Sequence, residues 1–420
     1  MRSRSFEIMT AIFLLLCASS CLKDTAYRTY TYTLYTPVYK TTDEVRASVK
    51  NSNPKPVTAS GKMWISGNYI FLSENGKGVH IINNRNPAQP VNESYVAIPG
   101  CTDIAAIGNT LYADCYTDML TIDISNPQAV KLKNYVSNIF PDRQYVLGYQ
   151  MDSGKVVAEW IVKDTTVTQR MELGKFFGGQ VYFTDVFTAS SSMNNNSSGG
   201  TQKSMGGSMA RFAIQAHHLY TVTTSSLNVL DITEPSLPQW KKTVRLGWSI
   251  ETIYPLNDKL FIGASDGMHI VSIADPNDPE VKGIFTHAKV CDPVIAEEKY
   301  AYVTLRSGNA CAGINNQMDV VDVTSVSNPV LAKTYPLTNP KGLSKDGSLL
   351  FVCDGTDGVK VFNASNPLNI TPLQKLTLPE SYDVICNNGI AIVTASDGIY
   401  QFDYSNSGQI KLLSKIGIVK

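Results

Sequence analysis

The stretch Leu111-Tyr112-Ala113-Asp114-Cys115-Tyr116-Thr117-Asp118-Met119-Leu120-Thr121-Ile122-Asp123-Ile124-Ser125-Asn126-Pro127 decides the fold. It reads as an apolar, aromatic strand, a small polar turn, a second apolar strand, and a corner where proline stops the ladder. A second copy runs from Leu350-Phe351-Val352 to Val361-Phe362-Asn363-Ala364-Ser365-Asn366-Pro367. Corners of this kind fall at Asn86, Asn126, Glu234, Asp275, Asn328, Asn366 and Asn406, with spacings of 40, 108, 41, 53, 38 and 40 residues. Only the 108 is out of line, and it hides an insertion.

Aligned on these corners, one column carries Val79, Met119, Leu227, Met268, Met318, Val359 and Ile399. Three residues later stand Ile82, Ile122, Leu230, Val271, Val321, Phe362 and Phe402. The next position holds Asn83, Asp123, Asp231, Ser272, Asp322, Asn363 and Asp403, short side chains that bond turn backbone. Gly67-Asn68, Gly108-Asn109 and Asn388-Gly389 supply hairpin turns tolerant of positive φ. Seven repeats of about 40 residues, each long enough for four strands, predict an all-β, seven-bladed β-propeller with four-stranded blades. A linear solenoid would need a shorter period.

The hydrophobic-x-hydrophobic-Asp-Ile-Ser-Asn-Pro ending resembles the LVIVD repeat of bacterial extracytoplasmic propellers. Two longer stretches are similar to a Bacteroidetes lipoprotein branch of that family. One runs from Gly61-Lys62-Met63 through Gly78-Val79-His80-Ile81-Ile82 to Asn86-Pro87. The other runs from Cys291-Asp292-Pro293-Val294 through Ala301-Tyr302-Val303-Thr304-Leu305-Arg306 to Cys311. The likeness covers roughly residues 57 to 410, and the corners Glu234-Pro235 and Asp275-Pro276 depart from it. It implies a propeller in the cell envelope and no particular chemistry.

Outward from the repeats, the first twenty residues read as a signal peptide. Arg2 and Arg4 precede an apolar run, Ile8 to Ala18, that is too short to span a bilayer. Ala18-Ser19-Ser20-Cys21 resembles the lipobox of bacterial lipoproteins, which implies cleavage before Cys21 and lipidation of its thiol. Leu22 in place of aspartate points to the outer membrane, on its periplasmic face or at the cell surface. Residues 21–56 form a tether in which Tyr27, Tyr30, Tyr32, Tyr35 and Tyr39 alternate among threonines, and the tether is expected to contribute a strand. Residues 57–420 are then one propeller domain. Its insertion at 131–210 is expected to hold a hairpin turning at Lys163-Asp164-Thr165 and a Ser/Asn/Gly-rich loop over Ser190 to Ser208.

Composition excludes some functions. The 420 residues carry 36 basic and 36 acidic side chains, without the basic excess of a nucleic-acid binder. P-loop, Gly-x-Ser-x-Gly, HExxH and EF-hand spacings are missing from the sequence. Ser265-Asp266-Gly267, Ser396-Asp397-Gly398 and Asp354-Gly355-Thr356-Asp357-Gly358 recur at one blade turn, and tight-turn chemistry accounts for them better than calcium does. No metal or cofactor is expected.

Candidate site residues come from the repeat register. Each inner strand begins near one charge: Lys62, Asp103, Arg211, Glu251, Asp292, Lys341 and Asp383. At the mouth of a central channel this ring is either a polar ligand or cation site, or a set of mutually neutralising contacts that closes the channel. In an exported protein, Cys101 and Cys115, placed symmetrically about Gly108, are expected to form a disulfide. So are Cys291 and Cys311; Cys353 and Cys386 sit in successive repeats, and the sequence leaves their pairing open. The histidines, His80, His217-His218 and His269 among them, are expected at the surface. Trp160, Trp240 or Trp248 would either stack on sugars or serve the core.

These features predict a non-enzymatic, lipid-anchored scaffold that binds an envelope protein or a glycan. An accessory subunit of an outer-membrane assembly or transport machine is the alternative, and a polysaccharide-cleaving propeller is a second.

Overall fold

A computed structural model describes residues 26–146, 149–171, 204–247, 249–286, 293–307 and 316–419. These form two compact units: residues 26–39 with 157–171, and the remainder.

The larger unit is the seven-bladed propeller. Its blades span residues 63–97, 104–136, 212–245, 250–285, 294–336, 343–376 and 381–417, each with four antiparallel strands paired in sequence order. The first strands of successive blades pack on one another, so they line the axis. Turn chemistry sets the hairpins, with Gly67, Gly108 and Asn388 at φ of 57°, 54° and 51°.

The corner repeats one hydrogen-bond pattern. The side chain of Asn83, Asp123, Asp231, Asp322, Asn363 or Asp403 accepts from the amide two residues on, at 2.9–3.0 Å. The corner proline then presents its carbonyl to the blade before. Tyr112 donates to Pro235, Tyr220 to Pro276 and Tyr335 to Pro367, at 2.8, 3.2 and 2.9 Å. Ser414 donates to Pro87 at 2.6 Å, which joins blade 7 to blade 1. The ring closes without strand exchange between its terminal blades: the four sequential strands of each, 63–97 and 381–417, are one continuous piece of chain. Paired amides of Asn84 and Gln401 complete the seam, at 2.6 and 2.9 Å, above a core of Met63, Ile65, Ile385 and Ile392.

Blade 1 has six strands. Lys50–Ser52 adds to its outer edge, so the tether does contribute a strand. A short helix, Thr42–Ala47, leads into it, capped reciprocally by Thr41 and Glu44. Ser204–Gly206 adds to the inner edge, pairing with Trp64–Ser66. This corrects the expectation of a loop running to Ser208: those residues are apolar enough to be buried, with Met205 and Met209 both in the core. Residues 172–203, most of that predicted loop, lie outside the described residues.

The smaller unit is a two-stranded ribbon of Ala26–Thr41 and Lys155–Met171. The predicted hairpin at Lys163-Asp164-Thr165 is absent. Asp164 lies mid-strand and accepts from Thr33 at 2.8 Å, because the threonine-rich tether offers a longer partner than the insertion offers itself.

Candidate functional site: the channel mouth

Six of the seven predicted ring charges are described, and all stand at the start of an inner strand. Asp292 and the cysteines Cys291 and Cys311 lie outside the described residues. The six do not behave alike.

On the arc formed by blades 7, 1 and 2, the charges are buried. Lys62, Asp103 and Asp383 are 4%, 0% and 1% exposed. Lys62 Nζ lies 3.2 Å from Asp103 and also donates to the carbonyl of Met209. Asp103 accepts from the amides of Ile104 and Arg211 at 2.9 and 2.8 Å. Burial still lowers the Lys62 pKa, against the pull of Asp103. Asp383 has no hydrogen-bond partner for either oxygen, and burial pushes its pKa up to about 8. Gly342 leaves it room: a Cβ there would stand 2.4 Å from the carboxylate.

On the arc formed by blades 3, 4 and 5, the charges are half-buried and loosely held. Among the described residues the Arg211 guanidinium reaches the carbonyl of Ile250, at 3.5 Å, and its Nε has no partner. Glu251 and Arg306 make no salt bridge among the described residues and feel each other only at a distance. Burial raises the Glu251 pKa and lowers that of Arg306. Between the arcs, Lys341 pairs with Glu380 and sits 4.3 Å over the Tyr382 ring.

The channel itself is filled. Ser204–Gly206 extends blade 1 inward, and the chain then crosses the axis. Ser208 Oγ accepts from Leu343 of blade 6 at 2.9 Å, and the Ala210 carbonyl accepts from Ile253 of blade 4 at 2.9 Å. Bonds to blades 1, 4 and 6 can coexist only if the segment lies across the middle of the ring. Gly206 lets it approach, since a Cβ would stand 2.6 Å from the Trp64 ring.

Residues outside the predicted ring complete the mouth. Arg306 and Glu380 are two. Another set is Glu74, Asp114 and Asp354, whose carboxylates hold the segment entering the inner strand. Glu74 accepts from Thr58 and Ala59, Asp114 from Thr102 and Asp103, and Asp354 from Thr338 and Asn339. Each stands five residues before the apolar column at Val79, Met119 and Val359, a periodic signal present in the sequence. For Asp354 this makes the turn fragment a backbone clamp, reinforced by Lys360.

The expectation of a Cys101–Cys115 disulfide is corrected, while Cys291 and Cys311 lie outside the described residues. Cys101, Cys115, Cys353 and Cys386 are buried and form no disulfide. The Gly108-Asn109 turn places Ile104 opposite Ala113 and Ile107 opposite Thr110. That register sets Cys115 opposite residue 102, one step from Cys101, and a one-residue slip sends side chains to opposite faces. Burial pushes all four thiols above their ordinary pKa, that of Cys115 to about 12.

The histidine expectation is corrected too. His80, His218 and His269 are buried and bonded, His80 to Asn92, His218 to Asn277 and His269 to Asp266, and of the described histidines only His217 is exposed. Trp160 packs edge-on against Tyr35 in the ribbon, 6.3 Å between centroids, while Trp240 is exposed on an outer strand; Trp248 is outside the described residues.

Among the described residues no cluster of three or more His, Cys, Asp or Glu is arranged to hold a metal ion, and no helix is long and apolar enough to cross a membrane.

The LVIVD repeat, as a sequence family, matches residues 59–96, 101–137 and 289–336, which correspond to blades 1, 2 and 5. Comparison with curated proteins gives no match. Among solved structures, a Lactobacillus plantarum protein is similar at a TM-score of 0.56 and 11% identity, over 86% of this chain and 98% of that one. A functionally unknown protein from Desulfotomaculum acetoxidans is similar at 0.50 and 12%, over 85% and 95%. A computationally designed protein is similar at 0.51 and 10%, over 87% and 90%. At these identities the likeness speaks for the fold alone.

Proposed function

We propose that this chain is a non-enzymatic, lipid-anchored protein of the outer membrane or cell surface, and that its propeller is a rigid binding scaffold for an envelope protein or a glycan. The observation that carries the reading is the segment Ser204–Ala210, which fills the axis. A propeller that cleaves a polymer needs acids converging in an open cleft. Here the acids of one arc, Asp103 and Asp383, lie beneath a plug and beside Lys62. The other arc holds Arg211, Glu251 and Arg306, half-buried and without an ion-pair partner among the described residues. A partner with complementary polar groups would satisfy them, and rigid blades hold the surrounding loops in place. The Ala18-Ser19-Ser20-Cys21 sequence supports attachment through Cys21.

Two measurements test this. Labelling with a fatty-acid analogue should mark the wild-type chain and not Cys21→Ser, which should leave the membrane fraction. Crosslinking from a photoreactive residue at Glu251 or Arg306 in intact cells should trap an envelope protein or glycan. The same probe on an outer strand, at Trp240, should not. Equal crosslinking at both positions would sink the assignment of the mouth.

A further inference from the structure

We propose that the ribbon of Ala26–Thr41 and Lys155–Met171 lies against a lipid surface, with the face bearing Tyr32, Leu34 and Ile161 in the interfacial layer. This rests on the reading of Cys21 as the lipidated residue.

Three rungs define the ribbon's faces. Thr29 meets Thr168 at 3.1 Å, Thr31 meets Thr166 at 3.1 Å, and Thr33 meets Asp164 at 2.8 Å. Strand alternation therefore sets Tyr30, Tyr32 and Leu34 on the opposite face, with Ile161, Lys163, Thr165 and Val167 from the other strand. On that face Tyr32, Leu34 and Ile161 are 48%, 44% and 55% exposed. The hydroxyl ladder occupies the middle of one face, with Tyr27, Tyr35, Tyr39 and Val162 exposed beyond it, while the other face combines Tyr32, Leu34 and Ile161 with the basic Lys163. A two-stranded ribbon is marginal by itself in water, so its apolar face gains by being covered.

Three observations commit the occupant to lipid. Cys21 and Ala26 are five residues apart, a reach of at most about 18 Å, so an acylated Cys21 holds the ribbon's first residues close to the bilayer. The exposed side chains are tyrosine with aliphatic neighbours, the mixture that suits the boundary between headgroups and acyl chains. The two strands carry Arg28, Lys40, Lys155, Lys163 and Arg170 against only Glu159 and Asp164, a basic excess that complements anionic headgroups. Anchoring gains from a second contact of this kind.

The test uses the full chain carrying Cys21→Ser, so that the ribbon's own affinity is read without an acyl chain. On vesicles of phosphatidylethanolamine with a minority of phosphatidylglycerol, adding Tyr32→Ser, Leu34→Ser and Ile161→Thr should lower partitioning roughly tenfold or more. Thr31→Ser, on the hydroxyl face, should leave it unchanged. A milder pair guards against misfolding. Tryptophan introduced as Tyr32→Trp should be quenched by brominated acyl chains, and as Thr31→Trp it should not. No vesicle binding by the Cys21→Ser chain, equal binding by the triple variant, or equal quenching from both faces would overturn the proposal. So would strong protection of residues 26–41 from hydrogen exchange without lipid, which would mean that protein covers the face. Acylation of Cys21, read from the mass of the N-terminal peptide, is a separate result, so failure of the anchor and failure of the ribbon are told apart.

Discussion

The two arcs of the channel mouth are built from the same repeat position and do opposite things. In blades 7, 1 and 2 the charges went under the plug. Lys62 satisfies Asp103 and the Met209 carbonyl, and Asp383 stays without a hydrogen-bond partner. In blades 3 and 4 the equivalent charges, Arg211 and Glu251, and Arg306 of blade 5 stay half-buried and make no salt bridges among themselves. The plug bonds blades 1, 4 and 6 alike, so coverage does not separate the arcs; partners do. Lys62 and Asp103 pair with each other, whereas Arg211, Glu251 and Arg306 form no ion pair among the described residues.

The sharpest way to break this contrast is Lys62→Met. It leaves Asp103 buried without its cation and frees the Met209 carbonyl, so a loss of about 3–5 kcal/mol is expected. Denaturant unfolding monitored by fluorescence would measure it. A cost under about 1 kcal/mol, the range of an exposed pair, would mean that the two arcs are not physically distinct.

How much of this was legible beforehand divides along the same line. The blades were readable because every repeat must bury the same columns and turn the same corner, so Val79 to Ile399 and Asn83 to Asp403 recur whatever the ligand. The ring positions were readable for the same reason. The plug was not. Ser204–Gly206 pairs with Trp64–Ser66 across 138 residues of sequence, and nothing local in a Ser/Gly/Met stretch distinguishes a strand bound on one edge from a loop. The ribbon failed similarly, since Lys155–Met171 found its partner in the tether and not in itself. The Cys101–Cys115 error was smaller in origin. A turn centred between Gly108 and Asn109 differs by half a residue from one centred on Gly108, and that suffices to separate two thiols.

Next in size is Gly206→Val. The new side chain must enter the space of the Trp64 ring, and overpacking of this kind costs about 1–3 kcal/mol. The plug should loosen before the blades do. Hydrogen exchange should therefore rise at 204–210 and in Met63–Ser66 while the outer strands keep their protection. Uniform loss of protection would show the plug to be no more separable than any blade.

Asp383 gives a pH test. Its pKa is raised to about 8 in the folded chain, above the ordinary carboxylate value, so the folded state holds a proton that the unfolded state releases. Its contribution is present in full below about pH 4 and is lost as pH climbs towards 8, with a slope of at most ~1.4 kcal/mol per pH unit for one proton. Asp383→Asn removes that slope. The variant should match wild type near pH 4 and exceed it in unfolding midpoint near pH 8. A wild-type midpoint that gains on the variant as pH rises would place the ionised carboxylate in a satisfied site, and parallel curves would mean that Asp383 ionises alike in the folded and unfolded chain.

The smallest effect on stability belongs to the open arc, and it should be the largest on binding. Glu251 has no ion-pair partner among the described residues to lose, so Glu251→Gln should change stability by no more than about 0.5 kcal/mol. Relieving a half-buried carboxylate should even help slightly above neutral pH, since burial raises its pKa. Its contribution lies in the field shared with Arg211 and Arg306, which a bound partner would complete. Capture from envelope extracts should therefore weaken several-fold while the unfolding curve stays in place, and Lys62→Met, assayed below its unfolding midpoint, should show the reverse. If both variants lose stability and capture together, the mouth is one structure, and the division between its arcs is not functional.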